Sequence, residues 1–202
     1  MSHAPLNQTP LNQTALNHGP LNHGPAGDVR PGPAVSTLPA DADRIIAQLG
    51  LQPHPEGGWF AEVYRSPAAA GERGALTTIY FLLKAGERSH WHRVDACEVW
   101  HHYAGAPLAL DLAADDDSVP ERHLLGLDAG ISGGAEGARP VQVVPAGWWQ
   151  AACSLGAWTL VGCTVAPAFL FEGFELAPPG WAPGHPRPDG GAGPSTGGDG
   201  AS

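Results

Sequence analysis

From Trp59 to Ala166 the chain runs in short stretches of aromatic and β-branched residues, each cut off by Gly, Pro or Asp before a helix of ordinary length could form. The stretches are WFAEVYRS (59–66), ALTTIYFLLK (75–84), RSHWHRV (88–94), EVWHHYA (98–104), PLALDLA (107–113), ERHLLGL (121–127), PVQVVPA (140–146), WWQAACS (148–154) and WTLVGCTVA (158–166). Nine such segments with a turn every eight to twelve residues predict an all-β sandwich or barrel. Six of the seven Trp lie in them, enough to bury a sizeable core. One helix signal precedes them: Asp41 or Asp43 as N-cap, Ile45, Ile46 and Leu49 on one face, and Gly50 as the stop.

Gly and Pro then bound the folding unit. The chain has 28 Gly and 21 Pro, and 25 of these 49 fall in the 65 residues of 1–40 and 178–202. Those ends are about 38% Gly plus Pro, above the ~25–30% that marks low-complexity chain. The expected organisation is a disordered repeat tail at 1–40, one domain at 41–177 and a disordered Gly/Pro-rich tail at 178–202, with Trp181 able to dock on the domain. Residues 6–25 read LNQTP, LNQTA, LNHGP, LNHGP, a five-residue repeat too short to supply an element with an apolar face.

Charge and cysteine narrow the class. Ten Lys and Arg against twenty Asp and Glu give a net charge of −10 with no basic cluster, which argues against a nucleic-acid partner. Cys97, Cys153 and Cys163 form an odd set without CxxC spacing, as expected of buried thiols in a reducing compartment. Met1 is followed by no secretory signal pattern, and the uncharged stretch 151–171 is broken by Gly and Pro into two strands rather than a membrane span. A soluble, cytoplasmic protein without a membrane partner is expected.

The chemistry concentrates in GERSHWHRVDACEVWHHYAG, residues 86–105. His90 and His92 are two apart and in a regular strand share a face, and a hairpin at VDAC brings Glu98 round to them. Two imidazoles and a carboxylate suit a divalent transition metal such as iron, manganese, nickel or zinc. The competing reading is a metal-free His92–Glu98 pair acting as general acid and base. By parity Trp100 and His102 share the face of Glu98, while His101 faces out. Arg65 can bind an acidic ligand or make a surface ion pair, Tyr80 can serve as an acid or a core aromatic, and Tyr64 and Thr78 are further pocket candidates. Glu56-Gly57-Gly58-Trp59 reads as a tight turn into the first strand.

Gly86, His90, His92, Glu98 and Gly105, followed by Pro145, Gly147 and Gln150, resemble the two sequence motifs of the cupin superfamily. The blocks LGLQPHPEGGWFAEVYRS, SHWHRVDACEVWH, VPAGWWQ and WTLVGCTVAPAFLFEGFELAPPGW are similar to those of a family of small microbial cupins. The resemblance implies a jelly-roll barrel, commonly a homodimer, with a small-molecule pocket in its mouth and His90, His92 and Glu98 at the first-motif ligand positions. It also marks a departure, since Gln150 stands where the second-motif histidine belongs. Three functions follow as expectations: a metal-assisted enzyme; a metal-free isomerase or epimerase using His92 with Glu98 or Tyr80; and a non-catalytic small-ligand module, with Arg65, Thr78, Trp100, His102 and Gln150 as substrate contacts.

Overall fold

In the computed structural model the described residues are 40–127 and 137–186, all within one compact unit. Of the tails expected at 1–40 and 178–202, residues 1–39 and 187–202 lie outside them.

Helix α1 spans Ala40–Leu49. Its stop is the Gly50 read from sequence, at φ 65, and the Leu51 amide bonds back to the Ile46 carbonyl at 2.9 Å. The helix is amphipathic, and Ala42, Ile45, Ile46 and Leu49 pack it against Trp59, Tyr80, Leu82 and Leu160.

Among the described residues eleven strands follow: β1 (Gln52–Pro53), β2 (Trp59–Arg65), β3 (Thr77–Lys84), β4 (Arg88–Val94), β5 (Cys97–Gly105), β6 (Leu108–Ala113), β7 (Glu121–Leu125), β8 (Val141–Val144), β9 (Trp149–Ser154), β10 (Trp158–Ala166) and β11 (Phe174–Leu176). Each of the nine segments became a strand. The two additions, β1 and β11, are too short to carry an alternation. The pairings are antiparallel and build a six-stranded sheet, β1-β2-β3-β10-β5-β8, and a five-stranded sheet, β11-β4-β9-β6-β7.

Both sheets send side chains into one core: Phe81, Leu83, Trp100 and Val161 from the first, Leu108, Leu110, Leu125 and Ala152 from the second. This two-sheet packing is the expected jelly-roll architecture. The outer face of the second sheet is covered by residues beyond 177, where Trp181 is buried against Trp149 with ring centres 5.0 Å apart. The three cysteines are free thiols. Among the described residues no helix is long and apolar enough to cross a membrane.

A buried acid and histidine cavity

The interior is not filled throughout. Between the two sheets lies a cavity of about 120 Å³, lined by His54, Glu56, His92, Glu98, Cys163 and a set of aromatic side chains, with Glu62 and Arg65 also at its wall. Strand alternation explains which residues of β3 reach it: Thr77, Ile79 and Phe81 line the cavity. Tyr80 and Thr78 therefore stand on the opposite face. Tyr80 packs in the cluster under α1, and the Thr78 hydroxyl accepts from Thr164 at 3.0 Å, so neither lines the cavity.

His92 reaches the cavity because β4 breaks its own alternation. Its register with β9 runs Arg88↔Cys153 and Ser89↔Ala152, then resumes at His92↔Gln150, which leaves one extra residue in β4. Such a bulge re-aims side chains. Ser89 and His92, three apart, both end up buried. His90 falls within the irregularity and does not line the cavity. Its Nε2 sits 3.2 Å from the carbonyl oxygens of both Ala177 and Pro178, and its amide donates to the Glu56 carbonyl at 2.8 Å. The expectation that His90 and His92 share a face fails here because parity holds only in an unbroken ladder.

The partner His92 acquires instead is Glu56. The turn seen in the sequence does form, with the Gly57 amide bonding the His54 carbonyl at 3.0 Å. Gly57 has φ 107, and a Cβ there would fall on the carbonyl oxygen of Arg88, so only glycine lets the turn sit this close to β4. That approach puts Glu56 Oε2 3.3 Å from His92 Nε2, while Ser89 donates to Glu56 Oε1 at 2.9 Å. Nothing in the local pattern around Glu56 marks it as buried; the one available signal was an acid beside two glycines that permit close backbone approach.

Hydrogen-bond logic places the protons. His92 Nδ1 lies 2.8 Å from the His90 carbonyl oxygen, which can only accept, so Nδ1 carries hydrogen and Nε2 offers its lone pair toward Glu56. Burial pushes the Glu56 carboxyl up to about 8, with the Ser89 hydrogen bond opposing the shift. It also pulls His92 down, against the attraction of Glu98. At neutral pH the pair therefore holds one proton between a carboxylic acid and an imidazole. His54, pulled down to about 4 by burial and by His92, is neutral; its Nδ1 accepts the Glu56 amide at 3.3 Å, and its ring meets Phe60 edge-on at 4.6 Å.

Glu98 and Trp100 lie where the sequence put them. Gln150, completely enclosed, ties them together: its amide donates to Glu98 Oε2 at 2.6 Å and accepts the Trp100 indole N–H at 2.9 Å. Burial pushes Glu98 up, opposed by His92 and by hydrogen bonds from Gln150 and Cys163. Gln150 thus holds both side chains and does not itself line the cavity. His102 turns to the Ala106 carbonyl at 3.2 Å, beside a register shift in the β5–β10 pairing, and is absent from the cavity wall. Arg65 is at the wall, but Nε and Nη2 grip both oxygens of Glu62 and Nη1 donates to the Phe169 carbonyl.

The metal set drawn from sequence does not fit these positions. His90 is turned to two carbonyls, and the amide oxygen of Gln150 is held by the Trp100 indole. Among the described residues no group of three or more His, Cys, Asp or Glu side chains is placed to hold a metal ion.

A family model described as Cupin superfamily (DUF985) matches residues 43–177. None of the curated proteins matches the chain. Among solved structures, a protein from Shewanella oneidensis is 38% identical, with a TM-score of 0.61 over 67% of this chain and 83% of that one. A hypothetical protein from Leishmania major is 33% identical, with a TM-score of 0.57 over 66% of this chain and 85% of its own. Oxalate decarboxylase from Bacillus subtilis is a remote likeness, 14% identical at a TM-score of 0.45 over 61% of this chain and 29% of that one, and bears no weight for this cavity.

Proposed function

The chain belongs to the Cupin superfamily (DUF985), and from the pair buried in its cavity we propose that it binds a small molecule there and moves a proton on it without a metal, as an isomerase or epimerase does. The observation that carries this reading is Glu56 Oε2 at 3.3 Å from His92 Nε2 inside the cavity. In the ionised form of the pair, Glu56 is a carboxylate and His92 an imidazolium. A proton leaving a substrate carbon next to a carbonyl bonds to Glu56, and the C–H electron pair moves into the enolate, whose charge faces the His92 imidazolium. Return of that proton to the other face of the same carbon, once the enolate has turned over, gives an epimer; in a hydroxy ketone, its return to the neighbouring carbon, with the hydroxyl proton passing to the enolate oxygen, gives an isomer. The largely aromatic wall favours a ligand with an apolar face, and the volume restricts it to a small one.

Deuterium exchange tests it. In D2O, with a panel of small ketones, hydroxy acids and sugars, the protein is expected to label the carbon next to a carbonyl in any compound that it turns over. Glu56→Gln and His92→Gln should abolish labelling while ligand binding persists. Saturable binding across the panel with no labelling would leave a non-catalytic binding module in its place. A homodimer belongs to the same proposal: Tyr103, Val141 and Val143 are about half exposed on strands β5 and β8 of the six-stranded sheet. Light scattering that shows only monomer at tens of micromolar would refute it.

A further inference from the structure

The cavity wall has an unusual charge balance. It carries three carboxyl groups, Glu56, Glu62 and Glu98, against one guanidinium, and that guanidinium is spent on Glu62 and the Phe169 carbonyl. His54 and His92 are both held toward their neutral forms by burial. An anionic ligand entering here would meet two buried carboxyls and no free positive charge. The remaining wall is largely aromatic: Phe60, Phe81, Trp100, Phe169, Phe171 and Phe174 surround the same space. Ring faces attract cations and gain nothing from anions.

From this arrangement we infer that the cavity takes a cationic ligand, a small ammonium compound whose charged group pairs with Glu98 within the aromatic wall. Glu98 suits that role better than Glu56. Its two named donors, Gln150 and Cys163, leave acceptor sites free on the carboxylate, whereas Glu56 is engaged by both Ser89 and His92. Gln150 fixes the orientation of Glu98 through Oε2, as a carboxylate that receives a ligand requires. At longer range the net charge of −10 draws cations toward the protein and repels anions. The inference names the ligand class of the cavity invoked in the proposed function and so rests on that reading, but it requires no turnover.

Binding to Glu98 has a proton cost that makes the inference sharper. Glu98 is held toward its neutral form by burial; the groups facing it are His92 on β4, Gln150 on β9, Cys163 on β10 and Glu56 on the preceding turn. Pairing with an ammonium ion favours the carboxylate and so works against that burial. Affinity for a simple alkylammonium ion, itself protonated to about pH 10 as a lysine side chain is, should rise with pH across the range in which Glu98 gives up its proton.

The test uses three probes of nearly one shape, isobutylammonium, isobutanol and isobutyrate, titrated calorimetrically into the full chain at millimolar concentrations. The expected result at pH 8 is that isobutylammonium binds at least about tenfold more tightly than isobutanol, with no saturable heat from isobutyrate. Glu98→Gln should remove the preference for the cation while isobutanol binding is kept. Equal or tighter binding of isobutanol or isobutyrate by the wild-type protein overturns the inference, as does failure of isobutylammonium to bind. The two readings fail separately. Labelling of an uncharged compound without ammonium binding defeats this inference alone, whereas ammonium binding without any labelling defeats only the proton transfer.

Discussion

Strand β9 has two neighbours built on opposite plans. On one side β6 pairs with it in unbroken register from Leu108↔Ser154 to Ala113↔Trp149, and all six residues of β6 are buried. On the other side β4 pairs at Arg88 and Ser89, skips a residue, and resumes at His92. A regular strand sends every second side chain inward, and β6 uses that to deliver Leu108, Leu110 and Leu112 to the core. The bulged strand gives up ladder hydrogen bonds and gains a placement that alternation forbids, Ser89 and His92 together against Glu56. One sheet therefore contains both a strand that stabilises the barrel and a strand that equips it.

The contrast breaks first, and with the largest effect, at β6. Leu110 is fully buried, so Leu110→Ala is expected to cost about 2–5 kcal/mol in urea unfolding, the transfer loss plus the cavity left behind. A loss below about 1 kcal/mol would mean that β6 does not carry the stability assigned to it.

Glu56→Gln examines the equipped side through its pH dependence. The folded carboxyl sits at about 8, above its ordinary 4.5, so the stability tied to its proton is complete below about 4.5 and is lost as pH rises toward 8. The glutamine variant has no such proton to lose. It should gain on the wild type across that window by up to about 1.4 kcal/mol per pH unit and level off above it. Parallel stability curves would show that Glu56 is not a buried neutral acid.

Gln150 joins the two plans, since it lies on β9 opposite both Leu112 of β6 and His92 of β4. Gln150→Leu leaves the Trp100 indole N–H and Glu98 Oε2 without their partner and is expected to cost about 1–3 kcal/mol. It should also raise the Glu98 carboxyl further, which infrared spectroscopy of the carboxyl stretch can follow. The smallest effect is expected at Arg73. It grips both oxygens of Asp95 and the Ala168 carbonyl from the surface, so Arg73→Ala should cost no more than about 1 kcal/mol in thermal unfolding.

The regular plan was legible in the sequence and the bulged plan only in part. Strands β2 to β10 fall on the segments marked by their apolar residues and Gly or Pro boundaries, and α1 ends at the glycine that marked it. His92, Glu98 and Trp100 reach the cavity as expected. His90 departs from the face of His92 because parity does not hold across the bulge in β4, whereas His102 keeps the unbroken register that it shares with Glu98 and misses the cavity because its ring turns to the Ala106 carbonyl. Tyr80 and Thr78 were misplaced differently. They share a parity opposite to that of Thr77, Ile79 and Phe81, and no segment pattern says which of the two faces borders the open part of the interior. Glu56 and His54 went unseen because a turn residue has no periodicity to betray its burial.

By itself the sequence determined where the chain becomes strand, where it turns, and that its chemistry gathers around residues 86–105. Those properties are local: alternation, β-branching and the backbone freedom of glycine act within a few residues. Only the tertiary structure decided that the acid beside His92 is Glu56, that His90 faces two carbonyls, and that Gln150 holds Glu98 in place. A bulge exists only relative to its pairing strand, and a carboxyl group becomes a buried acid only when distant segments close over it.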